Sequence, residues 1–201
     1  MHRVIAGLLA LALLGLGCSD STGPDGRTDA ELRIIRQDAL APPLIAYRDS
    51  FWAKVGDGRE LVLSYQGATP ADTGEEFLRF EVPGDGLLRR PDGTLFQPGD
   101  SILITITVVD SARFQFRFEP AGLQFNPDHP ARLRIRYFDC DKDFDGDGDE
   151  DADDERIEQQ LELWHRSATG GLWFSVGSVQ FTELDELDAN IRSFSEYAVA
   201  W

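Results

Sequence analysis

Cysteine, methionine, histidine and basic charge are all scarce in this 201-residue chain. It has two Cys, one Met, three His, and 19 Lys plus Arg against 36 Asp plus Glu. Two cysteines, Cys18 and Cys140, give no disulfide framework, so the fold must stand on its core. A lone cysteine among aspartates is also a poor nucleophile, because nearby negative charge raises the thiol pKa. The formal net charge of −17 argues against nucleic acid, whose binding needs a basic face. Beyond His2 only His129 and His165 remain, and no GxSxG, HExxH, P-loop or CxxC motif is present. Nothing marks a carboxylate pair for acid–base work, and the expectation is a chain without catalytic activity. Long apolar runs are missing too. The run from Val4 to Leu16 falls short of the roughly 20 residues a spanning helix needs, and no later run is long enough to cross a membrane.

That first run follows a short positive start, His2 and Arg3, and reads as a signal peptide over residues 1–18. It ends in Leu14-Gly15-Leu16-Gly17-Cys18, which resembles the lipobox of bacterial lipoproteins. The place three before the cysteine, usually Leu, is held by Gly15, with leucines on either side. The resemblance implies a diacylglycerol on Cys18 and an exported outer-membrane lipoprotein facing the periplasm or the cell surface. Ser19, standing where an Asp would redirect sorting in that family, agrees with the outer membrane. The small polar residues that follow read as a flexible tether over 19–29.

From Ala30 onward the hydrophobic period is two. Ile102, Ile104, Ile106 and Val108 form one phase, as do Phe114, Phe116 and Phe118, then Leu133, Ile135 and Tyr137, and finally Tyr197, Val199 and Trp201. Such alternation marks strands with one face in a core and one in water. Weaker strand signals lie at 31–36, 51–55, 60–65, 77–82, 160–165, 172–176 and 179–182. Gly-, Pro- and Asp-rich turns at 56–58, 83–86, 91–93, 98–100 and 170–171 separate them. Many short strands with polar turns predict an all-β protein, an antiparallel β-sandwich. The aromatics are expected to fill its core. Arg113, Arg117, Arg132, Arg134 and Arg136 are expected on a solvated face, where they balance charge in an acidic protein; were their strands to pair, that face would be locally basic.

Residues 139–155 read DCDKDFDGDGDEDADDE, a charge density that repels itself without a counter-charge. Asp143, Asp145 and Asp147, then Gly148, with Asp149 seventh and Asp154 twelfth, follow the spacing of the EF-hand calcium loop. Asp151 adds a further carboxylate. Hard oxygen donors suit Ca²⁺, and the expected ligand set is Asp143, Asp145, Asp147, Asp149, Asp151 and Asp154. The match departs from the pattern at Glu150 in place of an apolar eighth residue, at Asp154 in place of Glu, and in having no clear entering helix. A second register from Asp141 resembles thrombospondin-type repeats but meets Ala152 at its twelfth place. A bare solvated acidic loop is the alternative.

The stretch Phe118-Glu119-Pro120-Ala121-Gly122-Leu123-Gln124-Phe125-Asn126-Pro127, followed by Pro130-Ala131-Arg132-Leu133-Arg134-Ile135, resembles the most distinctive part of the ZU-five domain. Leu161 to Trp164, Leu172-Trp173 and Ile191 to Val199 resemble its later strands. The resemblance implies a ZU-five-like β-sandwich over 75–201, with 139–155 as an insertion and 30–74 as an N-terminal β segment outside it. Some relatives cut themselves at His-Phe-Ser. Here Ser193-Phe194-Ser195 lacks that histidine, so no cleavage is expected. The combined expectation is a lipid-anchored, non-catalytic, calcium-binding interaction or structural module of the cell envelope, with an unknown protein or envelope polymer as partner. A periplasmic small-ligand carrier or an accessory protein of a hydrolase system is the alternative. A membrane barrel fits poorly, because its strands would need a lipid-facing apolar side.

Overall fold

A computed structural model describes residues 26–69 and 72–201. Cys18 and most of the expected signal and tether lie outside them. Two antiparallel sheets pack as a sandwich. The first is built from β1 (Arg48–Lys54), β5 (Ser101–Val108), β6 (Gln115–Glu119), β9 (Glu162–Arg166), β10 (Phe174–Ser175) and β13 (Glu196–Ala200), in the order β1-β5-β6-β13-β9-β10. The second is built from β2 (Arg59–Gln66), β3 (Thr73–Val82), β8 (Ala131–Arg136), β11 (Val179–Phe181) and β12 (Glu186–Ile191), in the order β11-β12-β8-β3-β2. A small ribbon pairs β4 (Leu87–Arg89) with β7 (Gln124–Phe125), and a short helix, α1 (Ala152–Glu158), follows the acidic loop. No described helix is long and apolar enough to cross a membrane.

The period-two pattern becomes the core. Ile104, Ile106, Phe116, Phe118, Tyr197 and Val199 of the first sheet are buried against Leu61, Leu63, Phe80, Leu133, Ile135 and Leu187 of the second. Phe118 is at its centre, with its ring 5.4 Å from Phe80, 5.3 Å from Phe194 and 5.2 Å from Tyr197, in tilted and edge-on geometries. These are the arrangements the ring quadrupole prefers. The expected N-terminal β segment is not a unit apart. Its strand β1 closes one edge of the first sheet and β2 one edge of the second, and Ile35, Leu44, Leu61 and Tyr65 belong to the same core.

Three sequence expectations need correction. Residues 31–36 make isolated bridges, Ile34 with Ala200 and Arg36 with Arg113, in place of a strand. Gly26 to Asp29, read as tether, belong to the fold: Arg27 bridges Trp173, and Asp29 accepts from Arg166 and from the Trp173 indole, each at 2.7 Å. Strand β13 has no solvated face. Glu196, Ala198 and Ala200 are as buried as Tyr197 and Val199, because Leu32, Ile34, Trp164 and Trp173 cover the side opposite the main core.

The arginine rows balance acidic neighbours and do not combine into a basic surface. Strands β6 and β8 lie in different sheets. Arg132 pairs with Asp188 at 2.5 Å, Arg134 with Glu186 at 3.1 Å and Arg136 with Glu186 at 3.3 Å, across the β8–β12 ladder. Opposite charges facing across strands stabilise the pairing. Arg113 lies near Asp110. Arg117 instead reaches Glu196, 4% exposed, which also takes Arg166 at 2.6 Å. Burial opposes ionisation of Glu196, but the hydrogen bonds and charges of Arg166 and Arg117 outweigh it and hold its carboxyl below the usual glutamate range. Cys140 is a free thiol, buried, and burial pushes its pKa up to about 12.

Two expected outcomes test this account. Phe118→Ala should destabilise the fold by about 3–5 kcal/mol, the usual cost of emptying an aromatic core site, read from urea unfolding. Because the pKa of Glu196 is lowered by folding, its contribution is present above the ordinary glutamate pKa and is lost as pH falls through the folded value. The stability gap between the parent and Glu196→Gln should therefore be large near neutral pH and narrow in acid.

Candidate metal centre

The acidic segment connects β8 to β9 and is pinned at both ends. At its start, Asp141 N–H donates to Arg36 O at 3.0 Å, and the Lys142 ammonium holds Glu158 and Asp185, each at 2.7 Å. At its end, α1 begins with a capping box. The Asp151 side chain accepts from Asp153 N–H, and the Asp154 side chain accepts from Asp151 N–H. Reciprocal capping satisfies amides that a helix start leaves without partners. Acidic residues in the first turn also suit the positive end of the helix dipole.

Within the loop, Phe144 turns inward between two outward aspartates. It is 8% exposed and packs edge-on against Trp201 at 5.8 Å. Asp154, 4% exposed, turns its carboxylate onto the loop backbone, accepting from Phe144 N–H at 2.7 Å and Asp145 N–H at 3.1 Å. The hydrogen bond from Asp151, followed by those from Asp145 and Phe144, lowers its pKa. Asp143 gathers Gly146 N–H at 2.8 Å, Asp147 N–H at 3.1 Å and Gly148 N–H at 3.0 Å. Gly146 and Gly148 take φ of 83° and 102°, the region only glycine enters at no steric cost, and so let the chain curl back over that carboxylate.

The result is a focus of three carboxylates. One oxygen from each of Asp143, Asp145 and Asp147 lies within 4.8 Å of the others. Ligands at about 2.4 Å from a common Ca²⁺ can be no more than about 4.8 Å apart, so the group is compact enough to hold one ion. Its field is negative, offset in part by backbone N–H groups. The Asp147 charge, then that of Asp151, raises the pKa of Asp149. Asp147 N–H works to lower Asp145, but burial and the charges of Asp147, Asp154 and Asp143 outweigh that bond and raise it.

The six expected ligands thus divide. Asp143, Asp145 and Asp147 converge. Asp149 stands beside them, accessible to the same field. Asp151 and Asp154 are engaged as the helix cap and the loop brace, roles that the spacing alone did not separate from ligation.

Sequence reasoning also missed a contact outside the loop. His165 Nε2 lies 3.1 Å from Ser195 Oγ, a pair brought together across the β9–β13 ladder. The Ser195 hydroxyl also contacts Arg166 O. Burial lowers the histidine pKa. Such a pairing is invisible in the chain order, where thirty residues separate the two.

No family model, curated protein or solved structure matches the chain.

Asp154→Ala should remove the brace while leaving the three converging carboxylates in the chain. The expected cost is about 1–3 kcal/mol for amides left without their acceptor, measured by thermal unfolding without divalent cations. Amide exchange should accelerate at Phe144 and Asp145.

Proposed function

We propose that this chain is a lipid-anchored, non-catalytic β-sandwich of the cell envelope, ZU-five-like in its second half, whose acidic insertion binds Ca²⁺. It serves as an interaction or structural module, with the membrane reached through Cys18 and a protein or envelope polymer as partner. The observation that carries the calcium reading is the convergence of Asp143, Asp145 and Asp147 on a loop braced by Asp154 and pinned by Phe144. A repelling cluster held this close is stabilised by a cation, and oxygen-only donors favour a hard one.

Calcium suits the site better than magnesium. Ca²⁺ accepts irregular shells of six to eight oxygens, whereas Mg²⁺ demands a near-ideal octahedron. Asp143, Asp145 and Asp147 would supply side-chain oxygens and Asp149 its backbone carbonyl. The bound ion would offset charge on a surface loop, and no chemical step is assigned to it. Loop rigidity and carboxylate focus would then depend on the calcium level outside the cell, which is how a structural module becomes responsive to it.

Calorimetric titration of the lipid-free protein with CaCl₂ tests this reading. At a free concentration of 100 Kd, linkage adds about 2.7 kcal/mol to stability. For a domain of this size that corresponds to a rise of about 5–10 °C in Tm. Asp143→Ala and Asp147→Ala should each abolish both the heat and the rise. No heat and no thermal shift in the parent would overturn it.

A further inference from the structure

We propose that the adjoining edges formed by β10 and β11 lie against the lipid surface to which the chain is anchored; this rests on the reading of Cys18 as a lipidated residue. Strand β10 ends the first sheet and β11 ends the second, and only Val176, Gly177 and Ser178 separate them. Along these edges Leu172, Phe174, Val176, Val179 and Phe181 are 45%, 37%, 37%, 59% and 45% exposed. Trp173, between the first two, is fully buried. Leu172, Phe174 and Val176 share one phase of their strand, and Val179 and Phe181 one phase of theirs, with Gly177 and Ser178 between the two runs; Ser175, of the other phase, is exposed as well. Five large apolar groups in ten residues are more than the scattered exposure that needs no explanation.

The charge pattern agrees. Sixteen residues between Arg166 and Glu183 carry no charge, in a chain of which 27% is charged. Self-repulsion does not require such a gap. Contact with anionic headgroups does, for a protein this acidic, because each carboxylate brought to a negatively charged surface is repelled.

Reach supplies the third argument. Gly26, where the described chain begins, lies so close to this edge that a Cβ there would meet the Phe174 ring at 2.7 Å and Leu172 at 3.0 Å. Cys18 is eight residues earlier, and eight residues span at most about 28 Å when fully extended. A lipid on Cys18 therefore holds this edge within a short distance of the bilayer. The opposite edge, β1, is five strands further, about 24 Å at ordinary strand spacing. Apolar side chains held at an interface partition into it in proportion to the area they bury.

The test places an environment-sensitive fluorophore at Val176→Cys on the proposed face, and separately at Ser50→Cys on β1, in the full chain produced with its lipid. Each protein is reconstituted into vesicles of phosphatidylethanolamine and phosphatidylglycerol carrying nitroxide-labelled lipid. The expected result is that fluorescence at 176 is quenched at least twofold more than at 50, and that adding Val179→Glu and Phe181→Glu removes the difference. Equal quenching at the two sites, with Cys18 shown by mass spectrometry to be acylated, overturns the contact face and leaves the anchor standing. An unmodified Cys18 overturns both. Shielding of position 176 that needs no vesicles and grows with protein concentration assigns the edge to a second copy of the chain and overturns the lipid contact.

Discussion

Glu196 lies on β13 with both faces of its sheet closed, and the guanidinium groups of Arg166 and Arg117 are what permit a carboxylate there. An unpaired ionised group at that depth would take up a proton or disrupt the packing. Arg166 also binds Asp29 and stacks over Trp173 at 4.4 Å. One buried cation thus fastens the second layer of cover, in which Leu32, Trp164 and Trp173 lie over Ala198 and Ala200. The first described residues, the central strand and the edge near β10 are joined through this one group of charges.

The same economy of positive charge shapes the rest of the molecule. With 36 acids and 19 bases, not every carboxylate can have a partner. On the outer face of the second sheet the balance is local: Arg132, Arg134 and Arg136 interleave with Asp188 and Glu186. Lys142 serves Glu158 and Asp185 at the root of the acidic loop, and Arg156 pairs with Asp153 at its end, so among the described residues no Lys or Arg pairs with the three central aspartates. The surplus is therefore concentrated at Asp143, Asp145 and Asp147, where backbone amides bear part of it and a cation would bear the rest. The strip from Ser167 to Thr182 is free of charge, although its strand β11 pairs with Glu186 and Asp188 of β12. An acidic body, a loop of clustered carboxylates and a neutral apolar edge are three regions of different chemical character on one small sandwich.

Much of the sandwich was legible because burial on one face leaves a period of two. Phe114 to Phe118 and Leu133 to Tyr137 carry that signal in large residues, and their positions hold. Strand β12 carries it too, as Glu186-Leu187-Asp188-Ala189-Asn190-Ile191, but Ala189 is small and the polar phase is acidic, so its alternation is too weak to mark a strand. In β13 the small residues Ala198 and Ala200 were the sign of a covered second face, since only a short side chain leaves room for Trp164 and Trp173 above it. Helix α1 was hidden because its capping carboxylates, Asp151 and Asp154, occupy positions that the calcium-loop spacing also claims. Spacing along a chain counts residues, whereas the division between ligand and brace depends on which way each carboxylate turns, and Phe144, second in the motif, is anchored by Trp201 from outside it. The contact between His165 and Ser195 depends on strand pairing and had no local signal.

Strand β13 fills the middle of its sheet, between β6 and β9. Every shorter chain, ending before Glu196, lacks the seam that joins the two halves of that sheet. Contacts between distant parts of a sequence form late and slowly, and here the final seam cannot close until Ala200 has been made. Removing that one strand would leave β6 and β9 each with an edge of unpaired backbone groups in the middle of the sheet.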